Sequence, residues 1–248
     1  MEVVKFDITG KFAHFRKFYS NNSALSYSLP PRTSIIGILA AIAGLDKDSF
    51  YEIFSSQNLN ISVFSASPVK KTFHRINTLM IKGYQDFRGR LGHTQTPIEV
   101  ISGYSINRDL VKYTIYLENL NIPSQIYERL LKNIFNKTSV YNLSLGLASF
   151  TACIENPQKI EAEKQLVQSA DVELYSIANA NNVNKIYFKQ ENPYDFIEEE
   201  TMPADFDKDR KTIKLNKVIY TLGGSPLKIN ISGQLYILSD GRKIQMLE

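Results

Sequence analysis

Apolar residues follow strand and helix periods in the first part of the chain. Residues 3–8 are mainly apolar and rich in strand formers, and Gly10 ends them. Residues 35–44 form an apolar run that follows two prolines and closes on a glycine, with Thr33 or Ser34 placed to cap it. The pattern therefore predicts a strand followed by a buried helix.

The same two patterns continue further along the chain. Residues 59–66 are rich in strand formers, and residues 113–118 alternate between two sets of side chains as a strand does. An amphipathic helix is predicted next, capped by Ser124, with apolar residues at helical spacing through Ile134. The apolar, glycine-containing residues 145–154 predict the strand after that helix.

This order of elements predicts an α+β fold. Strand, helix and strand precede an insertion at about residues 68–110, and strand, helix and strand follow it. The ferredoxin-like (RRM-like) βαββαβ domain has this order, with two helices on one face of an antiparallel sheet. We expect such a domain over residues 1–155, carrying the insertion as a β-hairpin. Residues 156–248 are expected to form a small antiparallel β subdomain, with a hairpin turn at Asp240-Gly241.

Composition indicates a globular chain. Of its 248 residues 43% are hydrophobic, which is enough to bury a core. The longest apolar stretch, residues 35–45, is much shorter than the roughly 20 residues of a membrane helix, so no membrane span is expected. The single cysteine, Cys153, favours a reducing, cytoplasmic location and is expected to be a small buried hydrophobe.

Positive charge is concentrated in the first part of the chain. Residues 1–137 hold 17 Lys and Arg against 10 Asp and Glu, a net charge of +7, whereas the rest holds 12 against 15, a net charge of −3. A basic region of this kind favours a polyanionic partner. Ordinary variation of surface charge is the alternative.

The insertion carries the most informative side chains. Between residues 70 and 93 it holds six cations and one acid, with aromatic rings between them; the cations are Lys70, Lys71, Arg75, Lys82, Arg88 and Arg90, and the rings are Phe73, Tyr84 and Phe87. Cations neutralise phosphates and flat rings stack on unpaired bases, which is what binding of single-stranded RNA requires. A solvated basic loop is the alternative.

A second basic and aromatic cluster follows the first strand. Lys11, Arg16 and Lys17 are its candidate phosphate contacts. Its rings recur at helical spacing, which is more typical of core residues than of platforms for bases.

The predicted start of the first helix is a third candidate for binding an anion. Arg32, Thr33 and Ser34 lie there, where free backbone N–H groups and the helix dipole favour negative charge. Arg32 has the geometry for a bidentate phosphate contact. Simple capping explains Thr33 and Ser34 equally well.

Groups suited to catalysis are few. Histidine occurs only at positions 14, 74 and 93, and the HExxH, CxxC, GxSxG and phosphate-loop patterns do not occur. We therefore expect no catalytic residue, no metal and no cofactor. A metal-independent ribonuclease stays open as an alternative, with His74 or His93 as general acid or base beside Tyr84 or Lys82.

Several segments resemble the CRISPR-associated protein 5 family. Residues 10–16 (GKFAHFR) and 29–37 (LPPRTSIIG) resemble its N-terminal signature. Residues 94–99 (TQTPIE) look like the motif that closes the inserted thumb hairpin of that family, and Leu145-Gly146 is similar to the residues that precede its last ferredoxin strand. The resemblance covers about residues 1–155.

This resemblance implies a subunit at the foot of a type I Cascade interference complex. Such a subunit binds the 5′ handle of the CRISPR guide RNA (crRNA) and caps the backbone filament. It contacts the adjacent backbone subunit through its thumb and also the large subunit, which links it indirectly to target DNA near the PAM. Most members of the family do not cut RNA, and the overall pattern is closest to type I-B, in which a separate nuclease cuts the guide precursor.

The leading hypothesis is a non-catalytic, cytoplasmic crRNA-binding subunit without a membrane partner. Lys11, Arg16, Lys17 and Arg32, with Thr33 and Ser34, are expected at the handle phosphates; the thumb is expected to bind RNA through Lys70, Lys71, Arg75, Lys82, Arg88, Arg90 and Gln95. An endoribonuclease that processes CRISPR repeat RNA is the first alternative. A protein-only scaffold with an acidic partner is the second.

Overall fold

The computed structural model describes residues 1–21, 23–188 and 193–247. Within these residues the chain forms two α-helices, fifteen strands and two short 3-10 turns, at Tyr84–Arg88 and Ala180–Asn182. In chain order the helices and strands are β1 (Glu2–Gly10), β2 (Phe12–Ala13), β3 (Phe15–Arg16), β4 (Ser26–Tyr27), α1 (Arg32–Ala43), β5 (Leu59–Ser65), β6 (Val69–Leu79), β7 (His93–Gly103), β8 (Val111–Asn119), α2 (Ser124–Phe135), β9 (Ala152–Leu174), β10 (Ala178–Asn179), β11 (Val183–Ile186), β12 (Ile197–Phe206), β13 (Thr212–Thr221), β14 (Leu227–Leu238) and β15 (Lys243–Ile244).

The predicted α+β class is confirmed, with far more sheet than helix. In the described chain the largest sheet has seven strands in the order β11-β14-β15-β9-β1-β8-β5. Its central strands are antiparallel, since β1 pairs with β8 and β9, and β5 pairs with β8. A second sheet, β10-β13-β12, carries Glu198, Glu199, Glu200 and Asp205 on β12.

Both helices pack on one face of the central strands. Phe6 and Ile8 of β1 are fully buried there, together with Leu39 of α1 and Leu130 and Ile134 of α2. These are the apolar positions that alternate along the strand and recur at helical spacing in the sequence. Burial of this shared apolar surface is the main contribution to the stability of the unit.

The opposite face of the same strands is also covered. Val3 and Tyr116 point there and are buried against Tyr236, Leu238 and Ile244 of the C-terminal strands β14 and β15. Because both faces of the central strands are buried, binding surfaces have to be sought on hairpins, loops and sheet edges.

The helix ends differ in part from the sequence prediction. Gly44 ends α1 as predicted, with a φ of 69° and its N–H bonded to the Ala40 carbonyl. Capping by Thr33 or Ser34 was wrong, because the N-cap is Pro31 and has no side-chain cap. Ser124 is likewise the first residue of α2 and not its cap, since Pro123 precedes it as the N-cap. Prolines suit this position because their φ is fixed and a donor there has no helical partner.

The strand predicted at residues 145–154 lies further along. Only Ala152 onward is strand, and β9 continues without a break to Leu174, while residues before it form turns. Gly146 takes a φ of 93° there, and a Cβ at this position would lie 1.7 Å from the His14 carbonyl oxygen. A glycine turn therefore stands where the apolar pattern predicted a strand.

The predicted boundary at residue 155 falls inside β9. This strand pairs first with β1 and then with β14, and so passes from the N-terminal part into the C-terminal part. Ile177, Met202 and Val218 lie in the same core cluster as β1 and α1. The C-terminal strands thus complete the main core across a continuous strand.

Cys153 lies on β9 and is exposed, so the expectation of a buried cysteine was wrong. It pairs with Thr9 of β1, whose side chain is buried. Alternation along β9 places its own neighbour Ile154 in the core.

Candidate nucleic-acid interface

A long hairpin occupies the predicted insertion. β6 and β7 pair in register from Val69 opposite Gly103 to Leu79 opposite His93. The tip, residues 80–92, contains the 3-10 turn Tyr84–Arg88. From Phe73 to Leu79 every side chain of β6 is exposed, so this part of the hairpin projects away from the core.

Alternation along β6 divides the candidate residues between two faces of the hairpin. Lys71, Phe73 and Arg75 share one face, and the pairing of Asn77 with Gln95 places Gln95 on that face as well. Lys70 points to the other face, where its ammonium donates to the Tyr104 carbonyl at 2.9 Å. The first face therefore combines two cations, two amides and an aromatic ring.

The tip adds three cations and two rings. Tyr84 is 91% exposed and Phe87 is 65% exposed, and their ring centroids lie 6.1 Å apart. The single acid of the segment, Asp86, accepts the backbone N–H groups of Lys82 and Gly83 at 2.8 and 2.7 Å and so shapes the turn. In the described part of the chain, none of the ion pairs involves the four outer hairpin cations, Arg75, Lys82, Arg88 and Arg90.

The cluster after β1 is less available than its sequence indicated. Lys17 forms a close ion pair with Glu200, and its ammonium also lies 5.5 Å from the ring centroid of Tyr27. Burial is the largest single effect and opposes the charge, but the hydrogen bonds and charge interactions with Glu200 and Tyr19 together outweigh it and raise the pKa of Lys17. Arg16 is exposed and donates to the Ser20 carbonyl at 3.2 Å. Lys11 is half-buried and takes part in none of the ion pairs found among the described residues.

Acidic residues of β12 form ion pairs with two of the candidate lysines, and the sequence did not predict these pairs. Glu198 lies 3.3 Å from the Lys71 ammonium and accepts the hydroxyls of Ser28 at 2.6 Å and Tyr220 at 3.0 Å. Glu200, two residues on, holds Lys17. The strand therefore joins the base of the hairpin to the cluster after β1. The positive net charge of residues 1–137 and the negative net charge of the remaining residues are the sequence feature that points to such ion pairs.

Arg32 does not face a ligand. The residue is 4% exposed, and its guanidinium bonds Asp205 at 2.6 Å and the carbonyls of Phe54 and Leu59 at 2.8 and 2.7 Å. Burial of a guanidinium requires such a set of acceptors. The predicted phosphate contact by Arg32 was therefore wrong, because its donors are directed into the core.

Thr33 and Ser34 lie apart from the hairpin, in the first turn of α1. Both are half-buried and line a groove of about 320 Å³ together with Gly37, Ser144 and Gly146. Their predicted contact with RNA stays a prediction. The groove and the hairpin face are separate features of the surface.

The three histidines do not form one cluster. His14 is buried, and its Nδ1–H donates to the Glu99 carbonyl at 2.7 Å, while burial lowers its pKa below the ordinary 6.5. His74 and His93 lie on opposite faces of the hairpin, since His74 pairs with Ile98 and His93 with Leu79. A phosphate on one face therefore meets one of these two exposed rings.

The described residues hold neither a side-chain cluster suited to a metal ion nor a helix suited to crossing a membrane. Among them, no three His, Cys, Asp or Glu side chains are grouped so that they could hold a metal ion. No helix that the structure describes has the length and apolar character needed to cross a lipid bilayer.

Comparison with known proteins identifies the family. Residues 3–183 match the family described as CRISPR-associated protein (Cas_Cas5). No curated protein sequence matches the chain. Among solved structures the chain is similar to a CRISPR protein from Archaeoglobus fulgidus, with 14% identity and a TM-score of 0.59 over 98% of this chain and 97% of that chain.

Two further solved structures are more distant. A chain of a CRISPR RNA-guided surveillance complex has 11% identity and a TM-score of 0.48 over 92% of this chain and 91% of that one. A Cas protein has 14% identity and a TM-score of 0.47 over 90% and 95%. The A. fulgidus protein supports the fold alone, and these two, with TM-scores below 0.5, support no conclusion. Since the family match spans well over half of the 248 residues, the chain belongs to the CRISPR-associated protein Cas5 family.

Proposed function

We propose that this chain is a non-catalytic subunit of a type I Cascade interference complex, where it binds the 5′ handle of the crRNA and caps the backbone filament. The observation that carries this proposal is the hairpin of β6 and β7. Its outer cations have no ion pairs in the described chain, and they lie among exposed aromatic rings. Unpaired cations attract phosphates, and exposed rings stack on unpaired bases.

The fold is consistent with a ferredoxin-like unit that carries this hairpin as its thumb. The four strands of the predicted βαββαβ unit stand in the order β9-β1-β8-β5 and are antiparallel, with α1 and α2 on one face. The thumb leaves this unit between β5 and β8. It is thus anchored at its base and free at its tip.

The thumb is also suited to contact protein. Besides its cations it exposes apolar side chains that are unusual on a free surface: Ile76, Leu79, Ile81 and Leu91 are 39 to 45% exposed. We propose that the adjacent backbone subunit covers part of them. Contact with the large subunit, an indirect link to target DNA near the PAM, a cytoplasmic location and the type I-B subtype belong to the same proposal.

The absence of a catalytic role is part of the proposal. Cleavage without metal requires a base for the 2′-hydroxyl and an acid for the leaving oxygen. The buried His14 and the separation of His74 and His93 onto two hairpin faces leave no pair of exposed histidines on one face to supply both. We therefore assign the exposed histidines to RNA contact.

Fluorescence anisotropy with a labelled handle RNA tests the binding role. A variant with Arg75, Arg88 and Arg90 replaced by Gln should bind more weakly and with a flatter salt dependence, by about 0.7 in slope for each lost phosphate contact. The matched control replaces Lys159, Lys208 and Lys217, which form exposed ion pairs elsewhere on the chain. Equal losses in both variants would mean that only overall charge matters and would refute the assigned surface.

A further inference from the structure

We propose that a polar pocket in the C-terminal strands binds one unpaired nucleobase of the RNA. The pocket has a volume of about 270 Å³ and is lined by Asn179, Asn182, Gln234, Tyr236, Gln245 and Met246. It shares no residue with the hairpin. The ligand assignment rests on the proposed function, because RNA is the partner that would bring an unpaired base.

Gln245 supplies the central observation. It is 3% exposed, its backbone N–H donates to the Ser176 hydroxyl at 2.9 Å, and its side-chain oxygen accepts the Asn179 N–H at 2.7 Å. Because that backbone donor fixes which end of the amide is oxygen, the NH2 group is directed elsewhere. This NH2 group makes no hydrogen bond to any described residue, although the side chain lines the pocket. Because this NH2 group is not among the fully buried polar atoms that lack a partner, it is open to the pocket and available to an acceptor on a ligand.

The other amides add unused donors and acceptors. The Asn179 side-chain oxygen accepts the Asn181 N–H at 3.0 Å, so the NH2 group of Asn179 is the part of its side chain that is left to donate to a ligand. The side chains of Asn182 and Gln234 make no hydrogen bond within the described residues, and both are half-buried. The lining therefore offers both kinds of hydrogen bond and carries no charge.

The walls favour a flat, neutral ligand. Tyr236 contributes an aromatic ring and Met246 a thioether, which pack well against a planar heterocycle. Asparagine and glutamine amides pair with the edges of unstacked bases, which present donors and acceptors side by side. A phosphate is disfavoured because none of the lining residues is a cation. The volume lies just below the roughly 300 Å³ at which drug-sized ligand sites begin, which suits a single base.

Two residues of β9, Lys164 and Leu166, form the rim of the pocket. Lys164 lies opposite Tyr236 across the strand pair, with its ammonium 5.2 Å from the ring centroid and 2.8 Å from Glu118. Leu166 lies opposite Gln234 and is 81% exposed. Because Glu118 already neutralises Lys164, the exposed Leu166 is the rim residue suited to contact the ribose of the same nucleotide.

Free nucleosides test the pocket without depending on RNA binding elsewhere. Saturation-transfer NMR of the full chain with adenosine, guanosine, cytidine and uridine should show contact for at least one of them. Gln234→Ala and Asn182→Ala, which remove no hydrogen bond among the described residues, should each lower that affinity about 5- to 100-fold. Gln245→Glu keeps the acceptor for Asn179 and removes the NH2 group, and it should have the same effect. Gln165→Ala, an exposed amide on the strand that flanks the pocket, is the control and should change nothing.

The outcomes separate this proposal from the binding role. If no nucleoside makes contact, or if the pocket variants and Gln165→Ala behave alike, the pocket proposal is wrong. If it fails while handle RNA still binds with a steep salt dependence, the proposed function stands alone. If the pocket is protected only when a neighbouring protein subunit is added, its ligand is protein and the nucleobase assignment is refuted.

Discussion

The ammonium of Lys71 lies 3.3 Å from a carboxylate oxygen of Glu198, so a cation at the base of the hairpin is neutralised by the C-terminal part of the same chain. Both side chains are largely buried, with 21% and 27% of their surfaces exposed. Lys17 is held in the same way by Glu200. The basic surface is therefore divided into inner lysines that are paired and outer hairpin cations that are not.

Replacement of Glu198 by Gln should strengthen RNA binding. The change releases the Lys71 ammonium to a phosphate, so the plot of log affinity against log salt should steepen by about 0.7. Glu199→Gln makes the same change in net charge, but Glu199 alternates with Glu198 along β12 and pairs with Lys217 at 2.7 Å, where both side chains are about half exposed. Affinity titrations at several salt concentrations compare the two variants. A Glu199→Gln effect as large as that of Glu198→Gln would contradict the pairing account.

The aromatic rings of the hairpin tip should contribute to RNA affinity without affecting stability. Tyr84→Ala or Phe87→Ala should weaken binding by about 1–3 kcal/mol if the ring stacks on a base. Neither ring is buried, so the midpoint of urea unfolding should stay unchanged. Tyr141→Ala removes a ring that is 48% exposed far along the chain from the hairpin, and it serves as the control. Unchanged affinity in both tip variants would assign the tip to protein contact.

Arg32 should behave as a structural residue. Arg32→Ala leaves Asp205 and three carbonyls, those of Phe54, Leu59 and Ala204, without this donor, so the free energy of unfolding should fall by about 3–5 kcal/mol. Lys208→Ala breaks a pair with Glu52 in which both side chains are over three-quarters exposed, and it should change stability by less than about 1 kcal/mol. Denaturant titration measures both. If the Arg32→Ala protein were stable but had lost RNA affinity, Arg32 would be a phosphate-binding residue and the structural assignment would be wrong.

His14 should make stability depend on pH. Burial holds its folded pKa below the unfolded value of 6.5, so at mildly acidic pH the unfolded chain binds more protons than the folded one. The contribution of His14 is complete above pH 6.5 and is lost as the pH falls from there through the lowered folded pKa. Urea midpoints measured between pH 8 and about pH 5 should fall less steeply for His14→Gln than for the natural chain. Equal pH slopes for His14→Gln and the natural chain would contradict this assignment.

Local patterns were sufficient to predict much of the fold. The pattern of apolar residues over residues 3–8 predicted β1, and the apolar run between the prolines and Gly44 predicted α1. Both features depend only on neighbours in the sequence. The length of β9 was not predictable from such patterns. Its outer half is polar and is held as a strand by pairing with β14, about sixty residues further along the chain.

The candidate site was predicted in part, and for the same reason. Cations and rings in the hairpin are visible in the sequence, but the partner of a cation is not. The role of Arg32 depends on Asp205 and that of Lys71 on Glu198, contacts that only the folded chain brings together. The amide pocket could not be predicted from the sequence either, since its residues come from separate segments that carry no shared motif.

Titration of 5′-labelled repeat RNA with the purified chain in a metal chelator tests the central claim most directly, with each sample run on a native and a denaturing gel. The account predicts a shifted band on the native gel that weakens steeply with salt, and an RNA of unchanged length on the denaturing gel. Site-specific products ending in a cyclic phosphate, abolished by His74→Ala or His93→Ala, would contradict the claim and make the chain a nuclease. An unshifted RNA, with or without the partner subunits, would contradict the RNA-binding role itself.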